Sequence, residues 1–399
     1  MHSSSTQSLS ACREMNHFKL LLFLTLLYPP YRTVADKRSL EIDDLKSDLL
    51  NLLEVKEKPA ISRSRWQVPR YVIELYRKQA FIDGFTKNGH STPGRTVRTF
   101  FRDEQDKKGP HKHLFTFNIS AMRPAEKVEH AEIRIFKRRS SLPNPRALYK
   151  VTVSRLTKPW SSVNKRWKRK LVALDVQLVK CRKVGEWITF NVTSAVKFWS
   201  KYPSKNYGLW VSVRSYQAPP SDFKIATGGR KDPILVEFGV DREKLQKAQM
   251  AEIQDELQEK KHALNYKVPN VDDLSRDNSK IIMASRTRSR RDVADNLCRR
   301  HRLFVKFQEL NWSDWILAPR GFSAYYCTGT CPEVIEQYFN PTNHAIIQNL
   351  LHHRYSKSVP AACCVPTRLH SISMLYFELD GSIVLKEYGE MVAASCGCR

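Results

Sequence analysis

The chain has 399 residues, of which 41% are apolar and 27% are charged, which is typical of globular proteins rather than disordered tails or membrane bundles. Its formal net charge of +27 would suit a nucleic-acid-binding protein, but the charge is unevenly distributed. Residues 292–399 contain ten Lys and Arg and ten Asp and Glu, so the whole excess lies upstream. This asymmetry argues against a uniformly basic nucleic-acid-binding chain and indicates two different regions.

The N-terminus has the features of a secretory signal. Lys19 precedes an apolar run, Leu20 to Leu27, which is followed by two prolines and small residues ending at Ala35. This order predicts a signal peptide over 1–35 and an extracellular protein, with a buried core helix as the alternative. The run is too short to span a bilayer. Three glycosylation sequons, which begin at Asn118, Asn191 and Asn311, fit passage through the secretory pathway.

Residues 36–291 are predicted to form an α+β region. Leu45, Leu49, Leu52 and Leu53 have helical spacing, and Val72, Leu75 and Tyr76 indicate a second helix after Pro69. Apolar and polar residues then alternate, as in strands, over 115–119, 131–136, 148–153, 187–192 and 209–213. We therefore expect helices around a β-sandwich-like core.

Three further features of this region carry open alternatives. Lys165–Lys170 mixes basic residues with Trp167 and could bind heparan sulfate, or form a solvated edge. Residues 242–264 read as a charged helix with a thin apolar stripe. Cys181 has no evident partner in the sequence, so it could be a free thiol or could bridge two chains.

An arginine cluster ends this region. Arg286, Arg288, Arg290 and Arg291 lie within six residues, just after a polar stretch without a core pattern. Spaced guanidinium groups match the acidic cleft of a furin-type protease. We predict cleavage after Arg291, recognised through Arg288, Arg290 and Arg291, although a solvated basic linker has the same composition. The expected product is residues 292–399.

The cysteines of this product carry the strongest signal in the chain. They form a lone cysteine, a C-x-G-x-C, an adjacent pair and a terminal C-G-C, at Cys298, Cys327, Cys331, Cys363, Cys364, Cys396 and Cys398. Seven cysteines allow three pairs and one remainder, and a bond between adjacent cysteines would be strained. In an oxidising compartment disulfides are favoured over reduced thiols, and a zinc site is the other alternative.

These cysteines, together with five short motifs, resemble the transforming growth factor beta superfamily, nearest its bone morphogenetic protein and nodal branch. The motifs are Trp312-Ser-Asp-Trp315-Ile-Leu-Ala-Pro, Pro341-Thr-Asn-His-Ala, Cys363-Cys-Val-Pro, Ile372-Ser-Met-Leu-Tyr and Cys396-Gly-Cys-Arg399. Weaker motifs at 117–120, 131–136 and 191–193 extend the resemblance upstream. Residues 339–344 and the spacing from Cys331 to Cys363 look nodal-like.

The resemblance implies an all-β cystine knot with one helix, behind a prodomain at 36–291. It implies the pairs Cys298–Cys364, Cys327–Cys396 and Cys331–Cys398, with Cys363 joining two chains. The pairs Cys327–Cys396 and Cys331–Cys398 would join two short backbone runs into a small ring. Such a ring has little room for side chains, which explains Gly329 and Gly397. Ala345, Ile346, Leu350 and Leu351 predict the helix, whose apolar face a partner protomer would cover.

The resemblance also implies receptor-binding surfaces. The positions that match a concave site for type I serine/threonine kinase receptors are Trp312, Trp315, Met391, Asn340 and Pro341. Those that match a convex site for type II receptors are Ala318, Pro319, Ser373 and Leu375. Both tryptophans could instead be core residues. Asn311 replaces the usual glycine before Trp312, so we expect a left-handed turn there.

We therefore predict a secreted, disulfide-linked homodimer or heterodimer that bridges receptors after proteolytic release, with the prodomain as folding aid and masking partner. No cofactor, metal or nucleic acid is expected. We also expect no enzyme activity, because motifs such as H-E-x-x-H, G-x-S-x-G and a phosphate-binding glycine loop are missing from the sequence. A structural or antagonist-type secreted cystine-knot protein is the alternative.

Overall fold

The computed structural model describes most of the chain from residue 47 onwards. The described residues are 47–59 apart from 52 and 56, 68–87, 95–103, 113–123, 126–139, 147–159, 171–180, 184–215, 219, 223–246 apart from 244, 250, 253, and 296–399 apart from 356 and 357. The predicted signal peptide, residues 165–170, Cys181 and the arginine cluster lie outside this part.

The described residues form fifteen strands. Eight belong to the N-terminal region: β1 (Arg95–Phe101), β2 (Leu114–Phe115), β3 (Lys127–Lys137), β4 (Leu148–Leu156), β5 (Leu171–Lys180), β6 (Glu186–Asn191), β7 (Leu209–Arg214) and β8 (Ile234–Val240). Seven belong to the C-terminal region: β9 (Arg299–His301), β10 (Phe304–Lys306), β11 (Ile316–Ala318), β12 (Gly321–Ser323), β13 (Tyr326–Thr328), β14 (Cys364–Phe377) and β15 (Ile383–Cys398). The five alternating segments of the sequence all contribute residues to strands or bridges.

Two antiparallel sheets enclose the core of the N-terminal region. One has the strand order β2-β7-β4-β5 and the other the order β11-β14-β15-β1-β8-β3-β6. Every second residue of β4 and β7 points into this core, as Tyr149, Val151, Leu209 and Val211 do, and meets Ile133 and other apolar residues of the larger sheet. The predicted β-sandwich-like core is thus confirmed.

The larger sheet joins the two regions of the chain. Strand β1 pairs with β8 on one side and with β15 on the other, where Thr96 lies opposite Lys386 and Thr99 lies opposite Ile383. Since β15 also pairs with β14, the two long C-terminal strands continue the N-terminal sheet. The sequence did not predict this continuity, because pairing between distant strands leaves no local signal.

Three helices have clear bounds: α1 (Arg70–Gln79), α2 (Thr193–Lys201) and α3 (Asn343–Arg354). The predictions of α1 and α3 are therefore confirmed, and residues 47–51 are helical as well. Helix α3 begins where the Thr342 hydroxyl accepts a hydrogen bond from the Ala345 amide at 3.1 Å, a typical N-cap. None of the helices in the described part of the chain has the length and apolar character needed to cross a membrane.

Candidate receptor-binding surfaces

Three disulfides hold the C-terminal region at the end away from the sheet junction. They join Cys298 to Cys364, Cys327 to Cys396 and Cys331 to Cys398, the pairing that the resemblance implied, with Cα–Cα distances of 5.4, 5.6 and 5.9 Å. The sulfur atoms of Cys298, Cys331 and Cys398 cluster within 4.8 Å of one another, but the disulfides leave them no thiolate for a metal.

The glycines of the knot lie where a side chain would not fit. Gly329 has a φ of +127°, and a Cβ there would overlap the backbone of Leu297 and lie 2.7 Å from the Cys298 nitrogen. A Cβ on Gly397 would overlap the Phe339 carbonyl oxygen. Cys363 lies outside the three disulfides, and its backbone exchanges two hydrogen bonds with Arg399.

Strands β14 and β15 present two apolar faces, because their side chains alternate. We call the first the Trp312 face; it carries Trp312, Trp315, Ile372, Met374, Tyr376, Val384 and Tyr388. We call the second the Leu375 face; it carries Leu375, Phe377, Ile383 and Leu385, together with Ser373 of the same side of β14. Residues 47–59 pack on the first face and α1 on the second, and the loop at 80–87 reaches both.

The Trp312 face packs against residues 47–59. Leu53 and Val55 belong to the same buried cluster as Trp312 and Trp315, and Met391 is partly buried beside them. Trp312 is 3% exposed and Trp315 is fully buried, in an edge-on contact with the Tyr376 ring. In the intact chain neither tryptophan is thus available as an exposed anchor.

Polar contacts reinforce this cover. Glu54 accepts a hydrogen bond from Lys386 at 2.9 Å, and the Tyr388 hydroxyl lies 2.9 Å from both the Leu53 carbonyl oxygen and the Tyr376 hydroxyl. Burial raises the pKa of Tyr376 and the pKa of Tyr388 above the usual value for tyrosine, so both hydroxyls stay protonated. Lys58 pairs with Asp314, two residues after Trp312, at 3.0 Å.

The Leu375 face is covered by α1 and the loop at residues 80–87. Val72 and Tyr76 of α1 pack against Leu375 and Leu385. Ala318 is the Cα partner of Leu375 across the β11–β14 pair, so the sequence-predicted residues Ala318 and Leu375 are neighbours. Ser373 and Leu375 are fully buried and Pro319 is buried as well.

The loop at 80–87 touches this face through its backbone. The Ser373 amide donates a hydrogen bond to the Gly84 carbonyl oxygen at 2.8 Å, and Phe85 pairs with Ile372 in an isolated bridge. The Ser373 hydroxyl lies 2.9 Å from that of Thr86 and accepts from the Gln79 amide at 3.2 Å. A Cβ on Gly84, whose φ is +85°, would lie 2.7 Å from Pro319 Cγ.

Comparison with known proteins decides the family. Residues 297–398 match the transforming growth factor beta like domain, and residues 32–238 match the TGF-beta propeptide. The chain belongs to the transforming growth factor beta superfamily. It is a growth factor precursor with a propeptide, from a family of signalling ligands rather than enzymes.

Similar proteins support the bone morphogenetic protein branch. The chain is 31% identical to bone morphogenetic protein 4 of Gallus gallus over 384 residues, which cover 89% of this chain and 86% of that one. It is 31% identical to protein decapentaplegic of Drosophila melanogaster over 396 residues, which cover 89% of this chain but only 62% of that one. These relatives do not add support for the nodal-like features.

A buried ionic cluster lies where prodomain and growth factor domain meet. Arg98 of β1 is 1% exposed; it pairs with Glu126 of the prodomain and lies 3.6 Å from Glu378 of the growth factor domain. Arg123 pairs with Glu54 and reaches Glu378 at 4.0 Å. These bonds tie the two domains together by charge as well as by apolar packing.

Among the described residues, the cluster has one carboxylate more than it has cations. Its cations are Arg98, Arg123 and Lys386, whereas its carboxylates are Glu54, Glu126, Glu237 and Glu378. Burial raises the pKa of Glu237 to about 8, only partly offset by Arg98, and burial likewise raises the pKa of Glu378. Glu237 is therefore expected to hold a proton at neutral pH.

The remaining sequence-predicted residues lie elsewhere. Asn340 and Pro341 follow Phe339, which packs with the knot, so within one chain they lie beside a different apolar cluster from that of Trp312. Asn118, Asn191 and Asn311 are exposed, and Asn311 has a φ of +58°, the left-handed turn expected there. The cleavage residues Arg288, Arg290 and Arg291 lie outside the described residues.

Sequence reasoning missed the prodomain residues that cover the two faces. The sequence predicts one helix face with Leu53 and a second with Val72 and Tyr76, but nothing in it indicates what those faces cover. Gly84 carried a usable signal, since a glycine in a loop after a helix often marks a left-handed turn or a close contact. Arg98 and Glu237 had none, because their partners are distant in sequence.

Proposed function

We propose that this precursor is secreted, cleaved after Arg291, and releases a dimeric growth factor that bridges type I and type II serine/threonine kinase receptors. The observation that carries the proposal is the cover over both faces of β14 and β15. Apart from Asn340 and Pro341, the residues matched to receptor binding lie on or beside these faces, and most of them are buried in the intact chain. Release would expose both faces at once.

The proposed cleavage agrees with the family matches. The arginine cluster at 286–291 lies between the end of the propeptide match at residue 238 and the start of the growth factor match at residue 297. Secretion is supported by the apolar run at 20–27, which precedes the propeptide match, and by three exposed sequons. The domains proposed are thus 1–35, 36–291 and 292–399.

Dimerisation is supported by α3 and by Cys363. Ile347, Leu350 and Leu351 of α3 are 58, 45 and 39% exposed, whereas Asn349 on the opposite face is fully buried and holds the helix to residues 332 and 333. A second protomer would cover the exposed apolar side chains and place Asn340 and Pro341 beside the tryptophans of the first. A disulfide between two Cys363 residues would then join the protomers.

Comparison of the wild-type precursor with Arg291→Ala tests this function. Each protein is applied to cells that carry reporters for the bone morphogenetic and the activin/nodal pathways, and binding to receptor ectodomains is measured in parallel. We expect the cleaved wild-type dimer to activate the bone morphogenetic reporter at least tenfold more strongly than the uncleaved variant. Equal activity of the two, or a cleaved dimer that binds no receptor ectodomain, would favour the structural cystine-knot alternative.

A further inference from the structure

Asn311 lies in a turn at the edge of the Trp312 face. Its amide donates a hydrogen bond to the Gln308 carbonyl oxygen at 3.1 Å, and its φ is +58°. Its two neighbours in the chain, Leu310 and Trp312, both pack in the apolar cluster of this face, whereas Asn311 itself is exposed. The turn therefore holds an exposed asparagine directly beside a buried tryptophan.

The side chain of Asn311 is available for modification. Within the described residues, the hydrogen bonds of Asn311 involve only its backbone, whose carbonyl oxygen accepts from Lys58 Nζ at 2.8 Å. The sequence Asn311-Trp-Ser is a glycosylation sequon. It is the one sequon of residues 292–399, because Asn340-Pro-Thr is excluded by its proline. A glycan on the growth factor domain would therefore be attached here.

This sequon would stay with the growth factor after the proposed cleavage. Asn118 and Asn191 lie within the propeptide match, so any glycan on them would leave with the prodomain. A glycan on Asn311 is also compatible with the intact precursor. Lys58 of the covering segment reaches only the Asn311 carbonyl oxygen and leaves the side chain exposed. The same glycan can therefore be carried before and after release.

A folded receptor domain would meet a glycan at this position. A standard protein interface covers about 800 Å² of each partner, which corresponds to a disc of roughly 16 Å in radius. Consecutive Cα atoms are about 3.8 Å apart, so Asn311 lies well within one such radius of Trp312. A receptor that packs on Trp312 and Trp315 must therefore accommodate the glycan or leave this edge of the face uncovered.

The Leu375 face lies on the other side of the sheet. Successive side chains of β14 point to opposite faces, so Leu375 is on the opposite side from its neighbour Met374, which belongs to the cluster of Trp312. A glycan on Asn311 would therefore obstruct contacts at the Trp312 face and leave the Leu375 face clear. In the proposed function, the first is the type I site and the second is the type II site.

We propose that Asn311 carries an N-linked glycan that determines which type I receptors the released growth factor can bind. The inference rests on the proposed secretion, cleavage and receptor bridging. Receptors whose contact surface extends past Trp312 to Asn311 are excluded by steric overlap, whereas receptors that leave this edge uncovered still bind. An obstruction of this kind discriminates between similar partners without any new attractive contact.

The glycan is transferred from a lipid diphosphate-linked oligosaccharide of the secretory pathway. The side-chain amide nitrogen of Asn311 forms a bond to C1 of the first sugar. The bond between C1 and the diphosphate oxygen breaks, the lipid diphosphate leaves with the electron pair of that bond, and the amide gives up one proton. Neither an oxidant nor a reductant is needed.

The first test compares the wild-type precursor with Asn311→Gly after secretion and cleavage. Glycine adopts a positive φ without strain and keeps the carbonyl oxygen that Lys58 contacts, so the variant removes the sequon and preserves the turn. Mass spectrometry of the growth factor chain should find one N-glycan in the wild type and none in the variant. Asn118→Gln, which removes a sequon of the prodomain, is the control and should leave that glycan in place.

The second test measures binding of monomeric receptor ectodomains to the captured growth factor dimer. We expect loss of the glycan to raise the affinity for at least one type I ectodomain by about fivefold or more, and to change type II affinity less than about twofold. The Asn118→Gln dimer should bind like the wild type. Wild-type dimer treated with a peptide N-glycosidase should show the same gain as Asn311→Gly, which excludes a side effect of the substitution.

Three results would overturn the proposal. They are a growth factor chain without a glycan on Asn311, equal type I affinities with and without the glycan, and equal gains for type I and type II ectodomains, which would mean that the glycan acts through bulk rather than at one face. Each of these leaves the proposed function intact. A dimer that binds no ectodomain in either form would instead refute the proposed function and this inference together.

Discussion

The knot and the sheet junction hold the growth factor domain in two different ways. At the knot, three disulfides and two glycines constrain residues that all belong to the C-terminal region. At the junction, the same strands β14 and β15 are held by apolar packing, backbone hydrogen bonds and ion pairs to the prodomain. On the proposed release the first set would stay intact and the second would be lost as the prodomain dissociates, so we expect only the surfaces at the junction to be switched.

The largest expected effect comes from breaking the knot. Cys331→Ser removes one disulfide and leaves Cys398 unpaired, and loss of a native disulfide costs roughly 2–5 kcal/mol in small secreted domains. We expect secretion of the growth factor dimer to be abolished. Cys363→Ser is the matched control, because it removes a cysteine outside the three disulfides; it should be secreted as a folded species without the interchain bond.

Non-reducing electrophoresis and mass spectrometry of the medium distinguish the two cysteine variants. A secreted, disulfide-linked dimer from Cys331→Ser would show that the knot is dispensable. Retention of Cys363→Ser inside the cell would show that dimerisation, rather than the knot, controls export.

The next effect concerns the cover over the Trp312 face. Leu53 is 4% exposed in the cluster with Trp312, whereas Leu49 in the adjoining helix is 38% exposed. Leu53→Ala should cost about 2–4 kcal/mol, which corresponds to dissociation of the cleaved complex at least about 30-fold faster. Leu49→Ala should change the dissociation rate of the cleaved complex less than threefold. Surface plasmon resonance with captured prodomain measures both, and equal rates would contradict a cover centred on Leu53.

The knot and this cover also differ in how far the sequence predicts them. The cysteine spacing, Gly329 and Gly397 indicated a knot, because covalent partners and crowded backbones restrict residue types locally. The amphipathic helix α1 was also predictable. Its partner Leu375 was not, because Leu375 lies about 300 residues away and any apolar surface could pack against an apolar helix face. The pairing of β1 with β15 and the match of Arg98 to Glu378 were unpredictable for the same reason.

A smaller effect should follow at the Leu375 face. Gly84→Ala adds a Cβ close to Pro319 Cγ at a φ of +85°, whereas Gly228→Ala adds one at a φ of +95° in open space. Both substitutions carry the strain of a left-handed residue, about 1 kcal/mol, but only the first also pushes the loop off the face. Hydrogen exchange of the Ser373 amide, which bonds to Gly84, should be roughly tenfold faster in Gly84→Ala only. A similar change in both variants would attribute the effect to backbone strain alone.

The smallest effect concerns the excess carboxylate of the ionic cluster. The pKa of Glu237 is about 8 in the precursor and near 4.5 when unfolded, so the folded state binds this proton more tightly. Its contribution to stability is complete below about pH 4.5 and is lost as the pH rises towards 8. Glu237→Gln keeps a neutral side chain at every pH, so we expect it to stabilise the precursor more at pH 7.5 than at pH 5.5.

Thermal unfolding of the precursor at these two pH values measures the effect of Glu237→Gln, which should raise Tm by a few degrees more at pH 7.5 than at pH 5.5. Glu243→Gln, at an exposed position after β8, is the control and should leave both values unchanged. A destabilised Glu237→Gln at pH 7.5 would mean that Glu237 is ionised and pairs with Arg98. In that case the junction would weaken on acidification, whereas a protonated Glu237 makes it weaken as the pH rises from the acidic to the neutral range.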